Sequence, residues 1–505
     1  MPKPNPLLIV QITAEMKPYS KTGGLADVTG ALPKALAALG HTVITITPLH
    51  RTIEPKDFRL KRLLLRQTIV IDNRKYHYNV WEHQPEEGSR VLFIDQTEFF
   101  KRRHRLYGYK DGNLRYYFFC RAALETLQAL AVKPDVIHCH DWHAGLVPNL
   151  MMRSDRYRAY FYETATIMTI HNIAFQMAES GRRLRKKDAG RGLPVETPSE
   201  IARLNFMRRG TIYADAISTV SGQYAREIRT AEFGNGLEDV LERRRKRLFG
   251  ILNGIDYTHF DPRHDTNVAV KYHLADLYKK HRNKSILQKM LGLDVDDNVP
   301  IIGMASRITE QKGFELLFEV LPDLLKSHVQ IAIVGSGDPA YEKIIRKFKQ
   351  DFPDKVGIQL EFSEKLASII YAGSDMFLMP SRFEPCGLGQ MIALRYGTIP
   401  IVHSVGGLAD TIVDYDPQRK RGNGFVFQDF TPLALLAAIV RGLESYKYRD
   451  RWEKLMRSGM QQSYSWELPA KQYVRLFRFA RAKHRRRSAL SFKAHPQLIK
   501  KINQP

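Results

Sequence analysis

The sequence predicts an α/β protein built from two parallel-sheet domains. Three observations carry this. The chain has 505 residues, short apolar strands alternate with helical stretches, and the alternation restarts after Asn253-Gly254. A chain this long exceeds what one core supports. Strand–helix alternation is the pattern of a parallel sheet covered by helices on both faces. In the first half, strands are expected at residues 7–13, 42–47, 91–94, 136–139, 167–170 and 216–220, with helices at 25–39 and 116–129. In the second half they are expected at 300–305, 329–334, 358–362, 376–379 and 399–402. The expected domains are 1–254 and 255–470, followed by a C-terminal segment, 471–505.

Composition narrows the class. Hydrophobic residues make up 44% of the chain and charged residues 26%, the balance of a soluble globular protein. Cys120, Cys139 and Cys386 lie far apart and form no CxxC pair. That argues for a reducing compartment, and against a disulfide scaffold or a cysteine zinc site. The apolar run 7–10 is too short for a signal peptide, and no run reaches membrane-spanning length. The expected location is cytoplasmic, with no membrane partner.

The stretch PSRFEPCGLGQMIALRYGTIPIVHSVGGLADT, 380–411, organises the second half. Pro380, Pro385 and Gly387 make an irregular loop, 388–396 has a helical apolar pattern, and Gly397 ends it. Glu384 sits just ahead of the helix start. A carboxylate beside the free N–H groups of a helix suits a phosphate-bearing substrate with its reacting carbon alongside. The same letters also fit an ordinary βαβ loop with a surface Glu.

An internal echo links the halves. Gly23-Gly24-Leu25-Ala26-Asp27 recurs as Gly406-Gly407-Leu408-Ala409-Asp410. Each pair is expected to offer a glycine turn to a shared cleft, where backbone can approach a phosphate. Ligands of open α/β sheets bind at the carboxyl ends of the strands, so the expected site lies between two sheets that face each other. Lys21, Arg307 and Lys312 flank such strand ends. Together they could neutralise a diphosphate, or they could be solvated loop charges.

Other clusters read less sharply. In a strand, His138 and His140 of HCHDWH share a face. No second His/Cys group has ligand spacing, so a metal site is not expected. Asp294-Val295-Asp296 and Asp414-Tyr415-Asp416 fall in polar connecting segments and read as loops.

These residues carry a family resemblance. KTGGLADVTGALPKAL (21–36), HCHDWHAGL (138–146), HNIAFQ (171–176), ILNGID (251–256), SRITEQKG (306–313), PSRFEPCGLGQ (380–390), GGLADT (406–411) and YSW (464–466) resemble bacterial glycogen synthases and plant starch synthases. The match runs in order from about residue 8 to 475. The resemblance implies two Rossmann-like domains facing across a cleft, the GT-B architecture, with a C-terminal helix crossing back to the first domain. It implies retaining transfer of glucose from ADP-glucose to the non-reducing end of an α-1,4-glucan such as glycogen, with release of ADP. His171, Glu384, Arg307 and Lys312 would be catalytic. Lys21, Gly23, Gly24, Asp141, Asn253, Phe362, Cys386 and Gly387 would bind ADP-glucose. Arg307, Lys312 and Lys21 would hold the diphosphate, Asp141 and His171 would line the glucose pocket, and Glu384 would position the glucosyl ring. Because fixed cations and a helix N-terminus can stabilise a departing diphosphate, no cofactor and no metal are expected.

The sequence departs from the family pattern at Gly389, where a hydroxyl residue is usual, and at Met177, where glycine is usual. Phe362 stands where Tyr is usual near the adenine. Two alternatives stay open: a glucan synthase that uses UDP-glucose, and a retired enzyme that only binds glucan.

The net charge of +25 needs its own reading. No acid follows Glu467, and 471–505 is rich in Lys and Arg. A solvated basic face with a partly disordered tail is expected. No nucleic-acid motif is present, so no sequence-specific nucleic-acid binding is expected.

Overall fold

The computed structural model describes residues 5–176, 197–361 and 363–494, with side chains up to Arg487. Phe362 and Met177 lie outside the described residues. The chain separates into two compact units. One comprises Met1–Val220, Ala225–Leu252 and Trp466–Pro505; the other comprises Ser221–Tyr224 and Asn253–Ser465.

The first unit holds a sheet of β1 (Leu8–Ile12), β2 (Thr42–Pro48), β3 (Lys61–Ile71), β4 (Arg74–Glu86), β5 (Ser89–Asp95), β6 (Val136–His140), β7 (Ala165–Ile170), β8 (Ala216–Thr219) and β9 (Leu248–Gly250). Among the described residues the order is β3-β4-β5-β2-β1-β6-β7-β8-β9. The strands from β5 to β9 run parallel, with Ile9 opposite both Val43 and Val136. Chain direction along the sheet reverses between β1 and β6, and that switch point is where open sheets hold ligands.

The sheet is mixed, which corrects the expectation of a wholly parallel one. β3 and β4 form an antiparallel hairpin at the edge. Asp72 and Asn73, with φ of +49° and +59°, make its tight turn. Left-handed backbone at both central positions matches the right-handed twist of a hairpin. The exposed outer strand carries Lys61, Arg62 and Arg66, charges that discourage edge-to-edge pairing.

Helix Gly24–Ala38 follows β1 and buries Leu25, Val28, Leu32 and Leu36 on one face. Gly40, at φ +84°, turns the chain into β2. The long helix Glu467–Ala494 packs in this unit too. Its Ala470, Tyr473, Phe477 and Ala480 join Leu32, Leu36, Val43 and Ala165 in one core. The basic tail is therefore helical up to Ala494, and part of its charge is structural. Arg481 pairs with Asp135 at 2.7 Å, and Arg487 and His484 both lie 3.0 Å from buried Asp215.

The second unit holds β10 (Ile301–Ala305), β11 (Gln330–Val334), β12 (Val356–Gln359), β13 (Met376–Met379), β14 (Ile399–His403) and β15 (Phe425–Phe427), all parallel. Their order is β12-β11-β10-β13-β14-β15. This is the 3-2-1-4-5-6 doubly wound order, with its switch point between β10 and β13. β12 starts and ends earlier than the sequence suggests. The core packs Ile302, Leu317, Ile331 and Ile401 against Leu435, Ile439 and Trp452.

Candidate active site

The loops after β1, β6 and β7 in the first unit, and after β10 and β13 in the second, carry most of the expected residues. In the first unit the loop after β1 brings Lys21, Gly23 and Gly24 to the start of helix Gly24–Ala38. Lys21 and Gly24 are exposed, and Lys21 pairs with Asp27 at 2.7 Å. A Cβ on Gly23 or Gly24 would meet nothing within 4 Å, so the backbone here is open. Beneath it sits Glu15, which the sequence alone did not single out. Its carboxylate accepts the Thr22 peptide N–H at 2.5 Å, the Thr22 hydroxyl at 2.9 Å and the Tyr107 hydroxyl at 2.8 Å. Burial raises its pKa, and these hydrogen bonds oppose the shift. Glu15 thereby fixes the backbone that leads into Gly23-Gly24.

Asp141 and His171 also come together in this unit. Asp141 follows β6 with φ +55°, and its carboxylate accepts the His171 peptide N–H at 2.7 Å. Burial lifts its pKa to about 7, against two backbone N–H groups that lower it. Nε2 of His171 lies 2.9 Å from Nδ1 of His140. Burial drops the His171 pKa to about 3, so the ring is neutral at physiological pH.

The raised Asp141 pKa gives a test by melting. A carboxyl raised in the folded state contributes stability that is complete below its unfolded value, near 3.8. That contribution is lost as pH rises through about 7. Asn keeps an oxygen for the two N–H groups and tolerates left-handed backbone. Asp141→Asn is therefore expected to raise Tm relative to wild type at pH 8, by about a few kcal/mol of stability, with the gap closing toward pH 5. A gap independent of pH would contradict this assignment.

In the second unit Lys312 and Glu384 meet directly. Lys312 ends the short turn Glu310–Lys312 after β10, and its Nζ lies 2.5 Å from Glu384 Oε2. Ser381 Oγ donates to the same oxygen at 3.0 Å, and Glu384 is only 7% exposed. Two features force the approach. Gly313, at φ +71°, lets the chain pass the Pro380 carbonyl, which a Cβ would meet at 1.9 Å. Gln311 then ties the turn to the opposite loop, donating its side-chain N–H to Phe383 O while its carbonyl accepts from Arg382 N. Arg307 is exposed at the end of β10 and pairs with none of these groups among the described residues.

Cys386 and Asn253 also touch. Asn253 donates backbone and side-chain N–H groups to the Cys386 sulfur, and burial pushes that thiol up to about 12. Gly387, at φ +68°, lets the chain pass Gln390, whose amide donates to the carbonyls of Cys386 and Gly387.

The second glycine pair does a different job from the first, a correction to the expected symmetry. A Cβ on Gly406 would sit 2.0 Å from Glu384 O, and one on Gly407 would sit 1.9 Å from Cys386 O. The Gly407 N–H donates to Glu384 O at 3.0 Å. This pair holds the Glu384–Cys386 backbone in place. Gly335 and Gly337 play a similar part after β11, against the carbonyls of Ser306 and Ile308. The letters GSG at a strand end were the available signal for them.

Known proteins resemble this chain over nearly its whole length. Residues 8–243 match the starch synthase catalytic domain family, and residues 289–458 match glycosyl transferases group 1. The chain is 40% identical over 485 residues to a glycogen synthase of Geotalea daltonii, covering 94% of this chain and 99% of that one. It is 42% identical over 487 residues to a glycogen synthase of Moorella thermoacetica, covering 95% and 98%. It resembles the solved catalytic domain of starch synthase IV from Arabidopsis thaliana, bound to ADP and acarbose. The TM-score there is 0.84 at 34% identity, covering 95% of this chain and 100% of that one. Sucrose-phosphate synthase from Thermosynechococcus elongatus shares the fold, with a TM-score of 0.59 at 20% identity, covering 94% and 98%. On this near full-length likeness the chain belongs to the glycogen synthase family of glycosyltransferases.

Proposed function

We propose that this glycosyltransferase moves glucose from ADP-glucose to the non-reducing end of an α-1,4-glucan, with retained configuration, and releases ADP. The observation that carries the reading is the Lys312–Glu384 pair, set at the switch point of a 3-2-1-4-5-6 sheet. The ADP and acarbose of the Arabidopsis relative supply the substrate classes. Lys312 and Arg307 would neutralise charge as it builds on the departing diphosphate, and the open Lys21–Gly24 backbone would add N–H donors. Asn253, Cys386, Gly387 and Phe362 would bind the donor, and Asp141 and His171 would hold the glucosyl unit.

Glu384 is already committed to Lys312 and Ser381, which suits positioning rather than attack. The bond from C1 to the phosphate oxygen breaks, and its electron pair goes to the phosphate. The acceptor O4 then bonds to C1 from the same face and passes its proton to the departing phosphate oxygen.

A cytoplasmic location belongs to the same reading, since the three cysteines are free and buried. Among the described residues no helix is long and apolar enough to cross a membrane.

Digestion of the product tests linkage and direction together. Glycogen is labelled from ADP-[14C]glucose and treated with β-amylase, which removes maltose from non-reducing α-1,4 ends. Release of the label as maltose is expected. Label that resists β-amylase but yields to β-glucosidase would overturn the proposed stereochemistry.

A further inference from the structure

The histidines behind His171 form an ordered stack. His138 and His140 alternate along β6, so their rings share a face, with centroids 4.1 Å apart. His138 is anchored by Nε2, which lies 2.5 Å from Thr169 Oγ1, and that hydroxyl lies 2.6 Å from Ser218 Oγ. Tyr473 and Phe477 pack on the other side of His138. His140 is held against this stack and is fully buried. Its Nδ1 reaches His171 Nε2 at 2.9 Å, while its own Nε2 has no partner among the described residues.

A neutral imidazole carries one N–H, so the contact has two possible directions. Burial holds His140 well below its usual pKa and His171 at about 3, so both rings are neutral. If His171 donated from Nε2, His140 would carry its proton on Nε2, as a buried donor facing no acceptor. If His140 donates from Nδ1, only a bare lone pair is left at its Nε2. An orphaned buried N–H is the rarer and costlier defect. The second direction wins, and it leaves the His171 proton on Nδ1.

We infer that His140 is a positioning residue that fixes the ring orientation and tautomer of His171, so that His171 offers Nδ1–H to a hydroxyl of the bound glucosyl unit. The placement of that hydroxyl rests on the proposed function; the tautomer does not. The arrangement makes His171 a hydrogen-bond donor throughout the physiological pH range, without any need for it to be charged.

The test has a spectroscopic arm and a kinetic arm. In protein labelled with 15N-histidine, with the His171 signals assigned by their loss in His171→Gln, the wild type is expected to show a protonated Nδ1 and a bare Nε2. A protonated Nε2 would overturn the inference whether or not the protein turns over. In kinetics, His140→Ala is expected to lower kcat on the order of 10- to 100-fold by releasing the ring, with little change in KM for the donor. His140→Asn, whose amide N–H can stand where Nδ1–H stood, is expected to recover most of the rate and the Nδ1–H signal. Equal kcat in the wild type and His140→Ala, or equal loss in the Asn and Ala variants at unchanged melting temperature, would count against a positioning role.

Discussion

Glu384→Gln is expected to lower kcat by at least about 10²-fold while leaving the protein folded. The side chain keeps its volume and can still accept from Ser381, so the loop around it has no reason to collapse. What disappears is the negative charge 2.5 Å from Lys312. That charge draws the ammonium to one place beside the loop at the end of β13. Without it, the ammonium loses its reference point, as would the sugar ring that Glu384 is proposed to position, and misplacement of about 1 Å at a reacting centre is costly. The readout is kcat for glucose transfer, with circular dichroism and melting as controls. A variant that retains more than half of the wild-type rate would remove Glu384 from the catalytic machinery.

Lys312→Met is expected to have the second largest effect, on both stability and turnover. Glu384 is 7% exposed, and its backbone carbonyl lies against Gly406 and accepts the Gly407 N–H. Removing the cation leaves a buried carboxylate whose remaining partner, among the described residues, is the Ser381 hydroxyl. Breaking a buried pair from one side costs roughly 3–5 kcal/mol. For a unit of this size that should lower Tm by roughly 6–20 °C. A diphosphate would also lose a charged partner, worth roughly 1.5–3 kcal/mol, so KM for the donor should rise about 10- to 100-fold.

The double variant Lys312→Met with Glu384→Gln separates the two effects. Neutralising both partners should return most of the lost Tm, because no uncompensated charge stays buried, while turnover stays lost. If Tm does not recover, the destabilisation comes from packing and not from the charge pair.

The strands beside the site could be read from the sequence because the deep strands of a parallel sheet are continuous apolar runs. Residues 376–379 and 399–402 coincide with β13 and nearly with β14 for this reason. The β3–β4 hairpin escaped because its strands are half exposed and mix Lys, Arg and His with Leu, Val and Tyr. Its turn, Asp72-Asn73, was the local clue.

Among the candidate residues, Lys21, Lys312 and Glu384 were singled out by the turns and loops beside them, whereas Asp141 and His171 came only from the family resemblance. The shared face of His138 and His140 followed from strand alternation. Glu15 was not singled out because nothing in the local sequence marks its carboxylate as the acceptor of the Thr22 N–H and hydroxyl and the distant Tyr107 hydroxyl. The two GGLAD copies show the limit of letters: one pair of glycines leaves backbone open, and the other is filled by the carbonyls of Glu384 and Cys386. Spacing cannot say which neighbour arrives.

Turnover by the purified full-length chain, with ADP-glucose and UDP-glucose in parallel and glycogen as acceptor, tests the central claim most directly. The account predicts release of ADP with matching incorporation of glucose into glycogen, and a kcat/KM for ADP-glucose well above that for UDP-glucose. No transfer from either donor by a folded protein that still binds glycogen would contradict it.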